Sequence, residues 1–91
     1  MKTVHKYEVT ALEDFTVQMP QDAEVLTVQV QGAAVCMWAR IDTDRPLGTY
    51  RFGVHGTGHE LTEFTATAPY VGTFQLGGGA LVFHLFGARV A

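Results

Sequence analysis

Apolar and polar residues alternate with a period of two along most of this chain. Nowhere does an i, i+3, i+4, i+7 stripe persist long enough for an amphipathic helix. The clearest stretch is Glu24 to Gln31, where Leu26, Val28 and Val30 share one face and Thr27, Gln29 and Gln31 the other. Such a run, rich in β-branched residues, predicts a half-buried strand. Comparable runs predict strands over Val4 to Thr10, Phe15 to Met19, Ala34 to Asp42, Gly48 to His55, Tyr70 to Leu76 and Ala80 to Phe86. Turn chemistry separates them: Leu12-Glu13-Asp14, Pro20-Gln21-Asp22, Asp42 to Pro46, and Gly77-Gly78-Gly79. Gly32-Ala33 predicts a tight reversal that makes residues 24 to 42 a hairpin. Residues 56 to 68 are the least regular segment. Short strands with turn signals every eight to twelve residues or so belong to a small sandwich or barrel. The fold expected is therefore all-β: one domain over residues 1–91, a small antiparallel β-sandwich or partly open barrel of seven to eight short strands.

Two strands are apolar on both faces. In Ala34 to Asp42, Val35, Met37, Ala39 and Ile41 lie on one side and Ala34, Cys36, Trp38 and Arg40 on the other; Ala80 to Phe86 is more apolar still. A two-layer sandwich buries only one face of each strand, so something must cover the second. That cover is either the 56 to 68 segment or a second copy of the chain. An exposed patch containing Leu81, Phe83 and Leu85 would exceed what a monomer usually shows. A homodimer or higher homo-oligomer is expected. The Gly48 to His55 strand points Tyr50, Phe52 and Val54 inward and Thr49 and Arg51 outward.

Composition narrows the function classes. With 47% hydrophobic and 16% charged residues in 91, the chain is too apolar for disorder. A net charge of −3 without a basic stripe argues against a nucleic-acid partner, since phosphate binding needs clustered Lys and Arg. No window approaches the ~20 apolar residues of a membrane span, so no membrane role is expected. The single cysteine, Cys36, rules out an intramolecular disulfide and suits a reducing, cytoplasmic setting.

Candidate chemistry is sparse. His55-Gly56-Thr57-Gly58-His59 places two imidazoles around a flexible glycine pair whose backbone N–H groups could converge on an anion. It lacks the Gly-x-Gly-x-x-Gly spacing and the lysine of known phosphate loops. The four histidines His5, His55, His59 and His84 do not form the two close pairs of a zinc site, so no metal and no cofactor is expected. Cys36 sits between Val35 and Met37, not in the electropositive site a thiolate nucleophile wants. With no serine in the chain, a serine nucleophile is excluded. Asp42 and Asp44 read as turn formers. An enzyme would need at least a His55/His59 acid–base pair beside a pocket, and no catalytic residue is assigned. Trp38, Arg40, Tyr50 and Arg51 offer instead an aromatic and guanidinium set able to stack a base or pair with an anion. The candidate ligand-binding residues are Trp38, Arg40, Arg51, His55, Gly56, Thr57, Gly58 and His59.

The segments Val28-Gln29-Val30-Gln31, Cys36-Met37-Trp38-Ala39-Arg40-Ile41-Asp42, Gly56-Thr57-Gly58-His59, and Tyr70 to Leu76 followed by Gly78 to Phe86 carry a resemblance. The chain is similar, over nearly its whole length, to a family of small proteins of unknown function found in tailed phages and bacterial genomes. It departs from that pattern in the 60 to 68 segment and after Phe86, where Gly87 to Ala91 makes a longer tail. The resemblance implies a phage or prophage accessory protein working in the host cytoplasm and leaves its activity open. Three roles fit: a homo-oligomer that sequesters a small anionic, nucleotide-like signalling ligand to counter host defence, an inhibitor that binds a host protein directly, or a virion or assembly component.

Overall fold

The period-two runs become seven strands in the computed structural model, which describes all of residues 1–91. They are β1 (Lys2–Glu8), β2 (Glu13–Pro20), β3 (Glu24–Gln31), β4 (Ala34–Asp42), β5 (Leu47–Gly56), β6 (Tyr70–Leu76) and β7 (Leu81–Arg89). All pairings are antiparallel, in a three-stranded sheet of order β1-β4-β3 and a four-stranded sheet of order β2-β5-β7-β6. The two sheets form a sandwich that does not close into a barrel.

Alternation decides what lies between the sheets. On β4 the inward set is Met37, Ala39 and Ile41, and on β5 it is Tyr50, Phe52 and Val54. Met19, Val28, Phe74 and Leu85 complete the core. Phe52 stacks on Phe15 with ring centroids 5.6 Å apart, and Phe74 on Phe83 at 5.7 Å. Phe52 reaches its place because its cross-strand neighbour on β7 is Gly87, where a Cβ would overlap the ring. The buried Tyr50 hydroxyl is satisfied: it donates to the Pro20 carbonyl and accepts the Ala23 N–H, each at 3.0 Å.

Several elements differ from the sequence expectation. β1 runs from Lys2 to Glu8, two residues earlier than expected, because the chain must leave the sheet beyond the Val9 N–H to Val35 carbonyl bond to reach β2. β7 continues past Phe86 to Arg89, since Gly87 lets the ladder with β5 run on to the Tyr50–Arg89 pair. Leu26 does not share a face with Val28: a β-bulge between Val25 and Thr27 turns Val25 toward the core and leaves Leu26 42% exposed. The face carrying Leu81, Phe83 and Leu85 is the inward one. Leu85 is fully buried, Phe83 packs on the core, and only Leu81, at the strand's start, is exposed.

The other face of β7 is covered from within the chain. Residues 57–69 fold into a series of turns, held by bonds from the Ala66 N–H to Thr62 and from the Ala68 N–H to Phe64, and lie on the outer face of the four-stranded sheet. Thr65 is lodged against Gly53, Phe64 lies under the Arg51 guanidinium (4.3 Å to the ring centroid), and Pro69 accepts the Gly87 N–H. The outer face of the three-stranded sheet has no such cover.

Candidate functional site

β5 carries His55 outward beside His84 of β7, its cross-strand partner. The two imidazoles are held by hydroxyls. Thr65 Oγ1 lies 3.1 Å from His55 Nε2 and 2.8 Å from Thr62 Oγ1. His84 Nε2 is 2.6 Å from Thr57 Oγ1 and its Nδ1 is 2.9 Å from Thr73 Oγ1, which in turn hydrogen-bonds the Tyr70 hydroxyl at 2.6 Å. His55 and Thr65 are buried, and no buried side-chain polar atom in the chain lacks a partner. Both His84 nitrogens, and the outer nitrogen of His55, are thus committed to the chain's own hydroxyls.

Beyond Gly56 the strand turns. The Thr57 N–H donates to the Val82 carbonyl at 3.2 Å, and the His59 ring folds back over Gly56, where a Cβ would come within 2.9 Å of its Nδ1. An open cleft of about 390 Å³ lies between this turn and the start of β7, lined by Gly56, Thr57, His59 and residues 80–83. The expected His55-to-His59 cluster therefore divides: Gly56, Thr57 and His59 line the cleft, Gly58 makes the turn at φ +82°, and His55 is withdrawn beneath Thr65.

The remaining candidates are elsewhere. Trp38 and Arg40 share the outer face of β4, as alternation requires, whereas Arg51 stands on the outer face of the opposite sheet. The inward Tyr50 belongs to the core. Arg40 pairs with Glu24 at 2.7 Å and Arg51 with Asp14 at 3.0 Å. No single chain brings Trp38 or Arg40 together with Arg51 or the 55–59 turn.

Around Trp38 the register places Lys6 and Thr27, and one step along β1, Val4, which is 50% exposed. Cys36 on the same face is only 3% exposed. A bond from Lys6 Nζ to Gln31 Oε1 (2.8 Å) runs from β1 to β3 across β4 and roofs it. Trp38, half-buried by its sheet neighbours, has no such roof. No group of three or more His, Cys, Asp or Glu side chains gathers into a metal-binding arrangement. No helix is long and apolar enough to cross a membrane.

Sequence reasoning did not find Thr65 and Thr73 as partners of the histidines, or Thr62 and Tyr70 as the groups that hold those threonines. Period-two parity puts His84 and Thr73 on outer faces, but their meeting depends on the β6–β7 and β5–β7 registers.

Across residues 1–91 the chain matches the family described as a domain of unknown function (DUF7352). It belongs to that family. No curated protein and no solved structure matches the chain. The DUF7352 match spans both sheets and the 57–69 segment, so family membership covers the bare face and the cleft alike.

Proposed function

We propose that this DUF7352 protein is a non-enzymatic binding module of the phage accessory type. In this reading it pairs with a second copy through the bare face of the three-stranded sheet and sequesters a small anionic, nucleotide-like ligand in the host cytoplasm, against host defence. The observation that carries the pairing is the asymmetry of the sandwich. One outer face is covered by residues 57–69, while the other presents the half-buried Trp38 beside the exposed Val4. Large apolar side chains in that setting mark interaction surfaces.

The charges of that face support a second copy as the occupant. Lys2, Lys6 and Arg40 are matched by Glu8, Glu24 and Asp42, three of each sign. The lysines lie on β1 and Glu24 on β3, at opposite edges. A two-fold axis along β4 sets β1 of one copy over β3 of the other, lysines toward glutamate, with the tryptophans central. Binding is favoured over turnover because the histidines that acid–base chemistry would need are separated: His59 is in the cleft and His55 is hydrogen-bonded beneath Thr65. In that dimer Trp38 and Arg40 are taken up by the interface while the 55–59 turn stays on the far sheet, so the two sets do not share one ligand.

Native mass spectrometry of the purified chain tests this. A dimer is expected at micromolar concentration, converted by Trp38→Asp to a monomer that keeps the β-sheet circular-dichroism spectrum, and carrying a few hundred daltons of extra mass when isolated from cells that make the ligand. A bare wild-type monomer would overturn the reading and favour direct capture of a host protein. Open-ended assemblies would favour a virion or assembly role.

A further inference from the structure

A second opening lies along the seam where β3 of one sheet meets β6 of the other. Just beyond it the seam is shut: a Cβ on Gly72 would come within 2.8 Å of Val28 Cγ1. One step away both strands lose register, between Val25 and Thr27 on β3 and between Tyr70 and Gly72 on β6. Two bulges facing each other across one seam part the sheets, leaving a cleft of about 340 Å³. Its walls are apolar, with Val25, Val71 and Pro69 at the sides and the Tyr50 and Phe52 rings behind. A volume of this size suits a small organic molecule.

At the mouth stands Arg89. Of the four arginines, Arg40, Arg45 and Arg51 are paired with Glu24, Asp22 and Asp14 at 2.7, 2.9 and 3.0 Å. Arg89 has no aspartate or glutamate partner; its Nε donates to an oxygen of Ala91, the last residue, at 3.3 Å, and neither Nη group has a hydrogen bond within the chain. Asp22, the acidic residue at the same mouth, is the one neutralised by Arg45. An apolar slot with a guanidinium at its entrance whose two Nη groups are free complements a flat apolar body bearing one anionic group.

We infer that the β3–β6 seam is a binding site for a small molecule that combines an aromatic ring, inserted between Val25 and Val71, with a phosphate or carboxylate held by Arg89. This deepens the binding reading by giving its anionic ligand a seat, and it rests on that reading only for the ligand's biological role, not for the dimer.

The test is an NMR titration of the ¹⁵N-labelled full chain with AMP and with 1-naphthoate, each beside its uncharged counterpart, adenosine or 1-naphthalenemethanol. At least one anion is expected to bind, moving the amides of Val71, Gly87 and Ala88, with its neutral counterpart weaker by about tenfold or more. Which anion binds separates a phosphate from a carboxylate source. Arg89→Gln should remove that preference for the anion. Val71→Phe, filling the slot, should abolish binding while the thermal melt confirms folding. Absence of shifts with both anions at millimolar concentration, shifts clustered away from the seam, or an Arg89→Gln affinity equal to wild type would overturn the site. Native mass spectra of the same samples separate the two proposals: an anion-binding monomer removes the dimer and keeps the site, and a dimer that binds neither anion removes the site alone.

Discussion

Gly53 and Thr65 fit together as backbone and plug: a Cβ on Gly53 would overlap the Thr65 Cγ2 methyl and come within 2.9 Å of the Glu13 carbonyl oxygen. Here the irregular 57–69 segment is seated on β5. With β2 backbone on the same side, neither neighbour can yield freely. Gly53→Ala is therefore expected to lift the segment and to cost about 1–3 kcal/mol, the range for overpacking a filled site. Chemical denaturation measures the cost, and faster amide exchange over residues 60–68 should accompany it. An unchanged midpoint would mean that the segment does not depend on this contact.

Thr65 also tests the polar side of that seat. Its hydroxyl is bonded to Thr62 and His55, and Thr65 and His55 are 1% and 6% exposed. Thr65→Val keeps the shape and deletes the hydroxyl, leaving His55 Nε2 buried without its partner. A loss of about 1–3 kcal/mol is expected. If the folded chain instead tolerates valine with no change in stability, His55 finds another partner, and the threonine is there for packing alone.

Acid sensitivity should be traceable to Asp42. Its Oδ1 accepts the Asp44 N–H at 3.0 Å and lies 3.3 Å from the Met1 amino group, and these interactions, the backbone bond first, hold its carboxyl below the ordinary 3.8. A depressed carboxylate stabilises the fold at pH above its unfolded value, and that contribution disappears as pH falls through the folded one. The loss should fall at and below about pH 3.8, and Asp42→Asn should remove that part of the acid dependence. Carboxyl NMR resolves the midpoint; a value at or above the ordinary one would contradict the geometry.

Much of the fold is legible along the chain because strand alternation is a local property. The side chains of Met37, Ala39 and Ile41 go one way and those of Trp38 and Arg40 the other whatever the partner strands are. The same parity explains why Tyr50, Phe52 and Val54 face the core. It fails at Leu26, where a bulge inserts a residue and reverses the alternation on one side of it, a change that depends on β4 across the ladder. Of the candidate site residues, Gly56, Thr57 and His59 do border one cleft, whereas Arg51 and Trp38 stand on opposite sides of the molecule.

Composition and periodicity settle that this chain is all-β and, wherever no bulge intervenes, which face each strand residue takes, because these follow from side-chain chemistry and a two-residue repeat. Sheet membership does not follow from them. β4 joins β3 in a local hairpin, but it joins β1, and β5 joins β2 and β7, through pairings between residues distant in sequence. Those pairings determine that residues 57–69 cover one sheet and leave the face of the half-buried Trp38 without such a cover, that His84 meets Thr57 and Thr73, and that Arg89 ends beside an apolar seam with no aspartate or glutamate paired to it. A local repeat carries no information about which distant strand will supply the next hydrogen-bonding edge, and the binding surfaces of this protein are made where those edges meet.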